Sequence, residues 1–400
     1  MQAAYFVLIA RAMGPTTYGA FVAIVALTGI LSPFSGLGSC NLFVKNVKSG
    51  KRQPKVCWGN GILLTTVSGA IFSLAAIGIN HVFRLKTDFT VVAIVCFSDL
   101  ILMRITELAA FGFAASGRMK DTSIQNVVIS LLRLLAIAVL AVTVHKVSLQ
   151  QWTTAYLITG ILGVIYAIYK GSRMWGAPQI DLPALREDAK EGVYFSISTS
   201  AQTIYNDIDK TMLGKLSDFT STGIYAAAYR IIDVSLTPVR SLVSAAYPEF
   251  FRIGTGGIQK TYPYAKKLIH RSAIYGLANF VLLMVLAPLL PHILGPKYIA
   301  VTPATRWLAL IPFLRCMHLF LADALSGAGY QQVRTFIQAF IAIFNIGLNL
   351  VILPRWSWRG AAWTSLASDA VLALTLWIVV RYYWRQERSV GIPQASAQNV

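Results

Sequence analysis

One pattern recurs along almost the whole chain: an apolar run of about 18 residues or more, then a short cluster of turn residues and charge. Such runs occupy 17–40, 56–79, 89–113, 123–144, 152–169, 193–216, 222–247, 268–290, 303–325, 333–353 and 360–382. KSGKRQPK (48–55), ASGRMKD (115–121) and LPRWSWRG (353–360) are typical separators. A helix rising 1.5 Å per residue crosses a hydrocarbon core about 30 Å thick in about 20 residues, so each run is long enough to span. The runs are too long for the strands of a barrel, and inside hydrocarbon only helices and closed barrels satisfy their own backbone. The expected fold class is therefore all-α and integral to the membrane. Residues 1–10, before Arg11, form an apolar stretch of half the required length, which makes eleven full spans and one half. Composition agrees: 56% of residues are hydrophobic and 13% charged, with a mean hydropathy of +0.60, far from the balance of a soluble domain.

The net charge of +19 raises the question of nucleic acid. Sorting Lys and Arg by alternate loops answers it. Lys45, Lys48, Lys51, Arg52, Lys55, Arg118, Lys120, Arg186, Lys190 and Arg388 fall on one side, with many more like them. The other side holds few, among them Arg11, Arg84, Lys86, Lys146, Lys297 and Arg355. This asymmetry orients a bundle by the positive-inside rule and places the basic 48–55 loop, the mid-chain segment and the C-terminus in the cytoplasm. No basic stretch is interleaved with stacking aromatics, so nucleic acid is not an expected partner. Cys40, Cys57, Cys96 and Cys316 have no metal or disulfide spacing and read as small apolar packers, and no nucleotide-binding or zinc motif occurs; no cofactor is expected.

The most polar segment, 170–191, divides the chain near its middle. At an offset of 204 residues, ARAMGPTTYGAFVAI aligns with GKLSDFTSTGIYAAAYRI, pairing Arg11 with Lys215, Gly19 with Gly223 and Phe21 with Tyr225, and bringing Pro33 within one residue of Pro238. A second match pairs Gly117 with Gly329. The expectation is about twelve helices in two six-helix lobes, a parallel internal repeat: 1–170, a linker at 171–190, 191–384, and a cytoplasmic tail at 385–400. Paired Pro interruptions in corresponding helices point to a substrate region.

A charge at membrane depth costs at least about 2.5 kcal/mol, so such residues face a cavity or a partner. Arg133, Arg315 and Arg104 lie within spans, and Arg230 and Arg240 share the span that carries Pro238. A guanidinium matches phosphate oxygens with a planar fork, so these five are candidate anion-binding groups. Arg104 with Glu107 and Arg230 with Asp233 stand three apart and can instead pair within one helix. Arg133 and Arg315 have no acid at that spacing. Span acids include Asp99, Asp207, Asp209, Asp233, Asp323 and Asp369. In YNDIDKTMLGKL, pairing of Asp207 with Lys210 leaves Asp209 to carry or exchange a proton or sodium ion, so Asp209, Asp207 and Asp233 are ion-coupling candidates. Asn345 and Asn349 share one helical face with Gln338, fit for sugar hydroxyls or for joining helices.

LIARAMGPTTYGAFVAIVAL, NDIDKTMLGKLSDFTSTGIYAAAYRI and AAYPEFFR together resemble the polysaccharide flippases (Wzx-type) of the multidrug/oligosaccharidyl-lipid/polysaccharide exporter superfamily. The resemblance is carried by Ala10, Arg11, Gly14, Pro15, Tyr18 and Gly19 at the end of the first helix, by Asp209, Gly223 and Tyr225, and by Tyr247 and Pro248. It implies a two-lobed, non-enzymatic exporter of the bacterial inner membrane. Such a protein flips polyprenyl-diphosphate-linked oligosaccharide, an O-antigen or exopolysaccharide precursor, to the periplasmic leaflet by alternating access. Its partners would be that lipid-linked oligosaccharide, the surrounding lipids, and the polysaccharide polymerase and chain-length machinery. A cation-coupled drug antiporter of the same superfamily and a membrane glycosyltransferase or polymerase are the alternatives. The first wants acidic cavities; the second wants a catalytic loop larger than any gap between these spans. At the 204-residue offset, 191–204 have no counterpart before Met1, so the first helix is expected to continue upstream of this sequence.

Overall fold

A computed structural model describes residues 2–83, 88–144 and 146–390, without the side chains of 81–83, 194–195, 197–199, 201–202, 205–206 and 390. Arg84, Lys86, the Asn206 side chain and the last ten residues of the expected tail lie outside the described residues.

The first helix, α1 (Gln2–Leu31), contains a reversal at Gly14, whose φ of 72° and ψ of 170° lie outside helical space. Only glycine enters that region without a steric penalty, and Pro15 then presets the φ of a new helical start. The reversal shows in the packing: Phe6 and Tyr18 have ring centroids 6.2 Å apart, and Tyr5 and Phe21 both touch Trp152. The half span and the second span are thus the two arms of a hairpin. After Leu31 the chain turns through the Pro33–Gly36–Gly38 segment and resumes as α2 (Ser39–Lys48). In that turn the Gly36 N–H donates to Ser68 Oγ at 2.7 Å.

Then follow α3 (Pro54–Phe83), α4 (Phe89–Phe97), a π-helical turn at Ser98–Met103, and α5 (Arg104–Ala115). Next come α6 (Met119–Thr143), α7 (Leu149–Trp175) and α8 (Leu182–Leu216). Ser148 and Gln151 start α7 with a reciprocal capping box, and Asp181 caps α8. The chain continues through α9 (Phe219–Ser235), α10 (Thr237–Gly254), α11 (Ile258–Leu286), the short α12 (Leu290–Leu294), α13 (Val301–Leu308), α14 (Ile311–Gly327) and α15 (Gln331–Val390). No strand occurs among the described residues. The eighth expected span is broken between α9 and α10 beside Pro238, and the second is broken at Pro33, so both paired prolines interrupt their helices.

α15 is itself a hairpin, because Ser357 has φ 51° and ψ −135°. Asn345 meets Ser368, Asn349 meets Thr364 and Trp356 meets Trp363, contacts that nest around residue 357. Eight described helical segments are long and apolar enough to cross a membrane, and one of them, Gln331–Ser389, includes both arms of this hairpin.

The helices gather into two compact units: Met1–Gly223 with Ile293–Lys297, and Ile224–His292 with Tyr298–Val400. In the first, α1 lies along α8, and an aromatic box of Phe43, Trp58 and Phe113 closes on Trp175 with centroids 5.0 to 5.3 Å apart. In the second, α14 packs against α10, α11 and α15.

The repeat is visible inside the first unit. Thr16 Oγ1 and Thr220 Oγ1 are 2.8 Å apart. A Cβ added to Gly19 would fall 1.8 Å from the Phe219 carbonyl oxygen, and one added to Gly223 would fall 1.9 Å from that of Pro15. Thr16 and Thr220 are 204 residues apart, as are Gly19 and Gly223, and the reciprocal Gly19–Phe219 and Gly223–Pro15 approaches make the two segments cross about a local two-fold, with small residues allowing backbone contact.

Candidate functional site

The basic loop between α2 and α3 is clasped by the acids at the start of α8. Lys51 and Arg52 pair with Glu187 at 2.5 and 2.6 Å, Arg52 approaches Asp188 at 3.4 Å, and Lys45 pairs with Glu191. Asn46 donates to Asp188 at 3.1 Å. The Lys51 ammonium holds Glu187 below the usual carboxylate range, while burial pushes Asp188 up. The contacts put both segments at the same end of this unit.

Two clusters of charged and aromatic side chains are built around candidate membrane-spanning helices, one in each unit. In the first, Asp99 sits on the π-helical turn. It accepts a hydrogen bond from the Thr28 hydroxyl and one from the Tyr156 hydroxyl, both 2.6 Å. The Arg133 guanidinium lies 4.4 Å from the Tyr156 ring centroid and donates to Met103 Sδ at 3.0 Å. Its Nε has no hydrogen-bond partner. A π turn inserts an extra residue into the helix and re-aims its side chains, and such turns recur at functional sites.

The second unit holds a chain of five ionisable groups. Arg240 pairs with Asp233 at 2.6 Å. Asp233 lies 3.6 Å from Arg315, Arg315 lies 3.5 Å from Asp369, and Asp369 lies 3.3 Å from His318. Arg315 also donates to the Tyr229 hydroxyl. At this centre Arg315 is 7% exposed, His318 5% and Asp369 1%. Both clusters share one device: a guanidinium against a tyrosine, with an aspartate supplied by another helix.

The other sequence candidates have plain places. Arg104 pairs with Glu107 and donates to the Ser35 carbonyl at 3.3 Å, so the intrahelical reading describes it. Arg230 is exposed on α9, and Asp233 takes Arg240 instead. Asp207 pairs with Lys210. Asp209 is buried and accepts the Lys210 backbone N–H at 2.7 Å. Asn345 and Asn349 form a buried ladder with Thr364 and Ser368, joining the arms of α15. Sequence reasoning listed Asp99 and Asp369 without a role and passed over His318, Tyr156 and Tyr229. Their shared signal was a polar group isolated inside an apolar run.

Known proteins bear on this arrangement. A family described as "Polysaccharide biosynthesis protein" matches residues 1–254. A protein of Escherichia coli K12 named "Putative O-antigen transporter" is 23% identical over 232 residues, 57% of this chain and 55% of that one. The chain thus spans about half the length of that curated relative. Among solved structures, a multidrug resistance MATE family transporter of the MOP superfamily, inward-facing, aligns with a TM-score of 0.78 at 14% identity, over 98% of this chain and 96% of that one. The lipid II flippase MurJ in an inward closed conformation aligns with a TM-score of 0.73 at 12% identity, over 94% and 84%. The helical fold therefore matches that of these two solved proteins, and the match over residues 1–254 of 400 establishes that this multi-pass membrane chain belongs to the polysaccharide biosynthesis protein family.

Proposed function

We propose that this protein is a flippase that carries polyprenyl-diphosphate-linked oligosaccharide, an O-antigen or exopolysaccharide unit, from the cytoplasmic to the periplasmic leaflet of a bacterial inner membrane by alternating access. The single observation that carries the reading is that each unit holds a guanidinium within an apolar helix long enough to cross a membrane, Arg133 in Met119–Thr143 and Arg315 in Val301–Gly327. A planar fork of N–H donors in a low-dielectric site favours a phosphate oxygen far more than it does in water. Family membership and the names of the E. coli relative and MurJ support a saccharide-lipid cargo. Outward movement of an anion is favoured by a negative cell interior, by about 2.3 kcal/mol per charge per 100 mV. A cation antiporter needs acids available to its cargo, whereas Asp99 and Asp369 are engaged by hydroxyl, guanidinium or imidazole groups. The C-terminus is cytoplasmic in this reading, and the polymerase and chain-length machinery act on the delivered product.

The test is export itself. Cells carrying the Arg133→Ala, Arg315→Ala double variant should lose surface polysaccharide while the protein stays inserted at normal abundance. Surface polysaccharide that persists in those cells would overturn the reading.

A further inference from the structure

The five-member chain of the second unit has a charge balance that depends on one proton. Arg240 and Arg315 offset Asp233 and Asp369, so with His318 neutral the cluster sums to zero. An anion that takes the Arg315 guanidinium draws it from its two carboxylates. Asp233 keeps Arg240 at 2.6 Å. Asp369 keeps the His318 ring at 3.3 Å. A carboxylate with 1% exposure that gives up a cationic partner needs positive charge from its surroundings or a proton of its own. Imidazole is the one side chain here whose ordinary titration lies near neutrality.

We propose that His318 and Asp369 form a proton site linked to Arg315, so that a diphosphate headgroup and a proton bind the second unit together. This rests on the diphosphate cargo proposed above. On anion binding, a proton from water adds to the second nitrogen of the His318 ring, and the resulting imidazolium donates Nε2–H to the Asp369 carboxylate. One proton is taken up per anion, and no covalent bond of the anion breaks. Among the described residues, the charged and titratable groups in contact with this centre include Tyr229 and Asp233 from α9, Arg240 from α10 and Asp369 from α15, while Tyr275 of α11 is turned to the Ser235 carbonyl and Cys316 of α14 toward Gly276. Asp323, further along α14, is held by Arg334 at 3.1 Å. The imidazolium offsets one of the negative charges that the diphosphate brings, and the proton moves with the anion, not in exchange for it.

The probe is farnesyl diphosphate, titrated into the purified full chain in lipid nanodiscs between pH 6 and pH 8. Calorimetry in two buffers of different protonation enthalpy counts the protons. For the wild type, affinity should rise as pH falls, by up to about tenfold per pH unit beyond the ligand's own titration, with close to one proton taken up. Asp369→Asn and, independently, His318→Gln should bind the probe with only the ligand's own pH dependence. Thermal unfolding identifies which variants are folded, and either folded variant is decisive. Binding that is absent in the wild type, or unchanged by Arg315→Ala, overturns the diphosphate reading and this linkage with it. Binding that is lost in Arg315→Ala but keeps the wild-type pH slope and proton count in the His318 and Asp369 variants overturns the linkage alone.

Discussion

The hydroxyl of Thr16 is 2.8 Å from the hydroxyl of Thr220, its counterpart at the 204-residue offset of the repeat. A residue touching its own repeat partner marks a local two-fold. One turn further, the backbones at Gly19 and Gly223 meet so closely that neither position has room for a Cβ. Gly19→Ala and Gly223→Ala should each lower the unfolding free energy by about 1 to 3 kcal/mol through overpacking. Thr16→Ala should remove about 1 kcal/mol or less, the net worth of one hydrogen bond. Unfolding of the purified protein in detergent measures all three, and glycine variants as stable as the wild type contradict the crossing.

Asp218 begins α9 in the same turn. Its carboxylate accepts the Ser221 N–H and the Ser221 hydroxyl, both at 2.7 Å, and the Ser217 hydroxyl at 3.1 Å. Burial pushes this acid up, but the hydrogen bonds from Ser221 and Ser217 outweigh it, so it lies below its ordinary value of 3.8. The folded state therefore binds fewer protons than the unfolded one. The stabilisation is present above pH 4 and fades as pH falls through the folded value. Asp218→Ala should cost about 1 kcal/mol at neutral pH and flatten the acid limb of a stability curve taken by circular dichroism.

Asp99 and Arg133 should behave as a coupled unit. Asp99→Leu removes the acceptor of the Thr28 and Tyr156 hydroxyls beneath the Arg133 guanidinium and should destabilise by about 1 to 3 kcal/mol. Combining it with Arg133→Met should restore much of that loss, giving a coupling energy well above the few tenths expected of independent sites. Simple addition of the two effects would separate the residues.

The Asn ladder in α15 is assigned to packing. Asn349→Leu removes the acceptor of Thr364 Oγ1 and the donor to Asn345 Oδ1, and should destabilise by about 1 to 3 kcal/mol. A variant of unchanged stability that fails to export polysaccharide would move Asn349 to the cargo path.

Apolar run length made the spans legible, and GP and WSW within turn clusters marked the two hairpin reversals. Intrahelical spacing also foretold Arg104 with Glu107 and Lys210 with Asp207, because both pairs lie on a single helix. The same rule misassigned Asp233. The break after Ser235 starts a new helix and lets Arg240 fold back on it, displacing the expected Arg230. The surroundings of Arg133 and Arg315 were illegible for a related reason: Tyr156 with Asp99, and Asp369, come from helices tens of residues away, and a single sequence does not record which helices are neighbours. The π turn under Asp99 has no composition signal, since SDLILM reads like any apolar helix.

The reversal at Ser357 leaves no slack between the arms of α15. A connection made by one residue cannot lengthen, and the buried Asn345 and Asn349 contacts stitch the arms together below it. Trp356 and Trp363 lie 4.9 Å apart beside the bend, and Trp307 of α13 touches Trp363 at 5.6 Å. The two arms must therefore move as one lever, and a protease that cuts at loops finds nothing to cut there.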